Sequence, residues 1–198
     1  EVLRESSKEI NKLLIGLSRD DFSEVFLFFD YDVHQTNLGK TDDEDVIDQM
    51  LKSFDNETEN GKLYISYPMV EALRDFEPGI CGNKEDCFAA IDNLSEFKNV
   101  SASRSSNPHI KDYDIGTWKD IINVFAMRIS CLFGLSDTME YEMYAQDINP
   151  YEIFSLEEKE MENRRVFVLS AFPEFLVDYF GLKLWKTSVK STKNKLNT

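Results

Sequence analysis

The sequence predicts an α/β fold: a parallel sheet flanked by helices, then a helix-rich second half. Three stretches predict it. Val25-Phe26-Leu27-Phe28-Phe29 is an unbroken apolar run, the pattern of a strand buried on both faces. Residues 43–54 carry Val46, Ile47, Met50, Leu51 and Phe54 at helical spacing. Lys62-Leu63-Tyr64-Ile65-Ser66 is a second short strand. Strand, helix, strand is a βαβ unit, whose crossover is expected to be right-handed.

The first strand runs into two aspartates one residue apart, Asp30 and Asp32. Ligands in open parallel sheets bind at the carboxyl ends of the strands. Period-two geometry points both carboxylates to one face if the strand continues through them. Two carboxylates that close repel, and a hard divalent cation such as Mg2+ relieves the repulsion. Alternatively, they open the following loop as turn and helix-cap residues. After the second strand, Pro68 suits a first helical turn. Glu71 then lies one turn in, at the same sheet edge, where a helix N-terminus also favours an acid.

The other elements follow in order. Leu3, Ile10, Leu13, Leu14 and Leu17 give residues 3–17 an amphipathic helical pattern, and Ser18-Arg19-Asp20-Asp21 breaks it. His34 to Lys40 reads as a polar loop. Thr41 or Asp42 caps the helix over 43–54, and residues 55–61 form a turn. Residues 92–113 read as irregular and polar, with a Ser-rich loop over 101–107. A heavily buried helix is expected from Thr117 to about 133, stopped by Gly134. A shorter helix follows Ser136, and Asn149-Pro150 reads as a turn. Dense charge alternation makes 153–163 a solvated helix. Arg165 to Ser170 is a late strand, and residues 172–180 form a short helix ended by Gly181. The tail from Lys183 is rich in lysine and reads as a solvated, frayed end.

Composition narrows the function classes. The net charge is −15, which is unusual for a free-standing nucleic-acid binder. No apolar run reaches the length of a membrane span, and no signal peptide opens the chain, so a cytoplasmic location is expected. The three cysteines, Cys81, Cys87 and Cys131, are an odd number that argues against a disulfide scaffold. The C-x5-C spacing of the first two matches no zinc pattern. There is no P-loop, dinucleotide fingerprint or nucleophile elbow. With His34 and His109 as the only histidines, a catalytic triad or zinc hydrolase has little support.

The strand ending Phe29-Asp30-Tyr31-Asp32 resembles the DxD motif of Toprim domains, the metal-binding fold of topoisomerases, primases and a group of defence nucleases. Ile65-Ser66-Tyr67-Pro68-Met69-Val70-Glu71 is similar to the strand-then-glutamate element of the overcoming-lysogenization-defect nucleases and their phage-defence relatives. The resemblance covers residues 22–75. It implies a Rossmann-like, Toprim-like α/β core over residues 1–110. Residues 111–198 then form a helical region whose late strand packs on that core. It also implies Mg2+- or Mn2+-dependent cleavage of DNA or RNA, with Asp30, Asp32 and Glu71 as metal ligands and catalytic residues. The family's late lysine falls at Lys98 or Lys119. The family's earlier strand with its own glutamate has no match here, since Glu1, Glu5 and Glu9 follow no apolar strand. A protein partner or second copy is expected to supply the phosphate contacts that this acidic chain lacks. Two other functions fit the same residues. In a haloacid-dehalogenase-type phosphotransferase, Asp30 is the nucleophile and Asp32 the acid/base. In a degenerate Toprim-like module, the chain binds a partner without catalysis.

Overall fold

The structure is a computed structural model that describes residues 15–31, 46–76, 84–105 and 109–190. The helical pattern over 3–14, the caps at Thr41 and Asp42, Asp32, His34 and Cys81 lie outside these residues. The fold is mixed α/β, with a small mixed sheet and a helical second half. Strands β1 (Phe26–Asp30) and β3 (Gly61–Ser66) pair in parallel, as the βαβ reading requires, and α1 (Val46–Ser53) lies between them in the chain. A two-residue strand, β2 (Asp55–Asn56), folds back antiparallel on β3. It begins the 55–61 segment expected to be turn throughout, and it makes the sheet mixed. Gly61 turns that corner at φ 116°, a left-handed backbone open to glycine, with Val25 packed against it.

The burial of the two strands differs from expectation. β3 is buried along most of its length, whereas Phe28 and Phe29 of β1 remain 39% and 45% exposed. β1 pairs on one side with β3 and has no second neighbour among the described residues. Alternation along β3 sorts its side chains. Tyr64 faces helix α6 (Ala171–Ser188), where its hydroxyl donates to Asp178 at 3.0 Å and its ring meets Phe175 edge-on. Leu63 and Ile65 face the main apolar core with Leu51, Ile153 and Phe154.

Four other sequence expectations are corrected. Residues 94–104 are a helix, α2 (Leu94–Arg104), not an irregular segment. Its buried positions are Leu94, Phe97 and Ser101, at i, i+3 and i+7, a stripe too narrow and polar to register as amphipathic. Helix α3 (Ile115–Leu132) is the expected buried helix, and α4 (Tyr141–Asp147) is the helix after Ser136. Asn149-Pro150 is a helix start, not a turn. Asn149 caps α5 (Pro150–Glu162) by accepting from the Tyr151 and Glu152 N–H groups, and proline occupies the first turn. This helix is not wholly solvated, because Ile153, Phe154 and Glu157 are buried. Gly181 does break the helical path, at φ 62°, but the helix resumes to Ser188 with Trp185 buried. Lys183 and Lys186, at the start of the tail expected to fray, therefore belong to this helix.

The late strand β5 (Arg165–Phe167) pairs antiparallel with a short strand not foreseen, β4 (Phe88–Ala90). Just beyond β5, Leu169 exchanges two backbone hydrogen bonds with Tyr67, of 2.7 and 2.9 Å. That bridge ties the late segment to the end of β3. Beside it lies a buried ion pair, Arg128 Nη2 to Asp75 Oδ2 at 2.9 Å. Cys87 is fully buried in the core, and no described helix is long and apolar enough to cross a membrane.

Candidate active site

β1 and β3 end level, with Asp30 opposite Ser66. The chain leaves β3 through a cis Tyr67–Pro68 bond and an extended Met69. It then winds into a 3-10 turn over Val70–Arg74, so the helical turn starts at Val70 and not at Pro68. This turn lies against the end of β1. The Val70 N–H and the Glu71 charge both act on the Asp30 carboxylate. Asp30 thus sits across the sheet where it can cap the first N–H of that turn. Its carboxyl is pushed above the ordinary range, chiefly by partial burial and further by Glu71, with the Val70 N–H opposing. Asp30 still exposes part of its surface to solvent, so water screens the effect.

Glu71 is held by α2. Lys98 Nζ lies 3.0 Å from Glu71 Oε1, and the Glu71 side chain is only 11% exposed. Of the two candidate lysines, Lys98 therefore reaches the carboxylates. Lys119 lines a separate apolar groove with Trp118 and Phe180. Glu71 also forms part of the wall of a cavity of about 330 Å³, together with Arg74, His109, Lys111, Tyr113 and Phe172. Arg74 and Lys111 form no ion pair among the described residues. Neither cation carried a sequence signal, because they sit in separate segments that only the fold brings together.

The donor set permits a direct test of fit for a hard divalent cation. Asp30 and Glu71 lie near enough for the Glu71 charge to raise the Asp30 carboxyl, although burial is the larger cause. Mg2+ is commonly held by one or two carboxylates with the remaining positions filled by water. The pair meets that minimum. Among the described residues, no group of three or more His, Cys, Asp or Glu side chains is placed to hold a metal ion. Asp32, the third expected ligand, lies outside those residues. No protein-family model, curated protein or solved structure matches the chain.

Proposed function

We propose that this protein is a metal-dependent nuclease that cleaves phosphodiester bonds at the carboxyl end of β1 and β3, on a Rossmann-like, Toprim-like core. The observation that carries the reading is Glu71, whose charge acts on Asp30 at the end of β1, in the wall of a cavity that Arg74 and Lys111 also border. Carboxylates suit a cation, and adjoining cationic side chains that form no ion pair among the described residues suit a phosphodiester. Asp30 and Glu71, with Asp32, would hold Mg2+ or Mn2+, which when bound supplies Lewis-acid stabilisation of charge developing at phosphorus. Lys98 orients Glu71, and the Val70 N–H orients Asp30. The resemblance to defence nucleases extends the reading to a cytoplasmic effector of phage defence. The net charge of −15 opposes long contacts with DNA, so a partner protein or second copy completes the interface.

The competing reading is a partner-binding module in which these carboxylates serve structure alone. The Lys98–Glu71 ion pair and the Val70–Asp30 hydrogen bond favour it, since each gives a carboxylate a structural role. One experiment separates the two. Purified protein is incubated with labelled single- and double-stranded DNA and RNA in Mg2+ or Mn2+. Cleavage that falls about a hundredfold or more in folded Asp30→Asn and Glu71→Gln proteins supports the nuclease. Wild-type protein that cuts none of these substrates, alone or as an oligomer, supports the binding module.

A further inference from the structure

We infer that the cavity beside Glu71 is a subsite for one unpaired nucleotide, with its phosphate on Arg74 and Lys111 and its base against Tyr113 and Phe172. The choice of a phosphodiester ligand rests on the nuclease reading above. The subsite itself rests on three features of the cavity.

The first is size. At about 330 Å³ the cavity lies at the low end of small-ligand sites, about 300–1,000 Å³, with room for one nucleotide rather than a stacked pair. The second is charge. In a chain of net charge −15, two cations that form no ion pair among the described residues border one cavity. Arginine and lysine so placed recognise phosphate. Glu71 repels an anion, which puts the phosphate on the Arg74 and Lys111 side and leaves the carboxylate toward Asp30. The third is the wall. Val70, Leu73, Tyr113 and Phe172 give an apolar, partly aromatic lining, and a base stacks on such surfaces whatever its sequence.

A base in a duplex is stacked and paired, and enters such a cavity only if it is turned out of the helix. Single strands, frayed ends and loops present a base without that cost. The subsite therefore selects single-stranded nucleic acid at the carboxylate edge.

The test is binding in EDTA, where no metal-dependent cleavage occurs, read by anisotropy of a short labelled single strand. Its duplex counterpart and the nucleoside monophosphates serve as competitors. The single strand is expected to bind at least about tenfold more tightly than the duplex, because the duplex must unstack a base. Arg74→Gln and Lys111→Gln are each expected to weaken binding about tenfold or more, the loss of one charge-assisted contact. Tyr113→Leu keeps an apolar wall, removes the stacking ring and is expected to cost about fivefold or more. Melting temperatures check that each variant folds. Competition by free mononucleotides as potent as the strand assigns the subsite to a free nucleotide, and weaker competition assigns it to one unit of a strand. Equal binding of duplex and single strand, or unchanged affinity in all three variants, overturns the proposal. Binding without any cleavage leaves the subsite standing and removes the nuclease. Cleavage that is indifferent to Arg74, Lys111 and Tyr113 does the reverse.

Discussion

Lys98 Nζ sits 3.0 Å from Glu71 Oε1, which fixes α2 to the carboxyl end of the sheet through one carboxylate of the candidate site. A divalent cation at Asp30 and Glu71 must share Glu71 with this ammonium. Lys98→Met removes the competitor. Because Lys98 is 66% exposed, the change in stability is expected to stay within about 1 kcal/mol. Mn2+ affinity, read by calorimetry, is expected to rise. An affinity no different from wild type removes Glu71 from the ligand set.

The Arg128–Asp75 pair is a matter of stability. Both side chains are almost fully buried, and Arg128 also donates to the Val168 carbonyl at 3.1 Å. Taking away Arg128 leaves the buried Asp75 with only the longer Arg104 pair, at 3.7 Å, and taking away Asp75 leaves the buried Arg128 without its carboxylate. Arg128→Met is expected to cost about 3–5 kcal/mol, and Asp75→Asn a similar amount. Replacing both with apolar residues is expected to cost less than the sum of the two. Denaturant unfolding of the three variants checks this, and strict additivity would show that the two charges are independent.

Glu157 makes stability depend on pH. Its side chain is buried in α5. One oxygen accepts the Phe167 N–H at 2.9 Å, and the other has no partner among the described residues. Burial, with a smaller push from Glu160, raises its carboxyl well above the usual 4.5, and the Phe167 N–H opposes. The folded state therefore holds the proton more tightly than the unfolded state. Stability falls as pH climbs from about 4.5 toward the folded value. Glu157→Gln keeps an acceptor for Phe167 and has no proton to lose. The variant is expected to match wild type near pH 4 and to exceed its melting temperature increasingly as pH rises. Parallel curves for the two proteins from acid to neutral pH would count against this account. Glu174, buried on α6 and raised mainly by burial and then by Asp178, adds to the same slope.

Glu157 also marks the limit of what is legible in the chain. The parallel pairing of residues 26–30 with 62–66 was readable because short apolar runs bounded by polar turns have few other solutions. Helix α3 was readable because nine of its positions are buried. Glu157 sits among charged neighbours, and its burial comes from contacts with β5 that no local pattern encodes. Helix α2 was missed for the same reason, since Leu94 and Phe97 alone carry its apolar contact. Asp30 and Glu71 were legible as candidates because one ends a strand and the other lies just past the end of its neighbour. Lys98 was one of two equal candidates until α2 placed it, and Arg74, Lys111 and Tyr113 gave no local sign. Convergence of single residues from separate segments belongs to tertiary structure, and a residue pattern reports it only where an element's end fixes the geometry.

Asp30 carries the last prediction, because it has two roles that substitutions can separate. As a cap, it accepts the Val70 N–H, and as a charge it faces Glu71. Its folded proton affinity is raised above the usual 3.8, so its charge opposes folding increasingly as pH rises from there. Asp30→Asn keeps an acceptor for Val70 and deletes the charge. Without metal at neutral pH, it is expected to melt at the wild-type temperature or slightly above. Asp30→Ala deletes the acceptor too and is expected to lose about 0.5–2 kcal/mol, the usual worth of a cap. Mg2+ reverses the order. An ion that binds the folded state alone raises the melting temperature in proportion to its saturation, so wild type is expected to gain and Asp30→Asn to gain little. The three proteins, melted with and without Mg2+, give six values. An equal Mg2+ gain in wild type and Asp30→Asn places the cation elsewhere and leaves Asp30 as a cap. A gain confined to wild type, with the Asn protein fully folded, assigns the charge of Asp30 to the metal and its hydrogen bond to the turn.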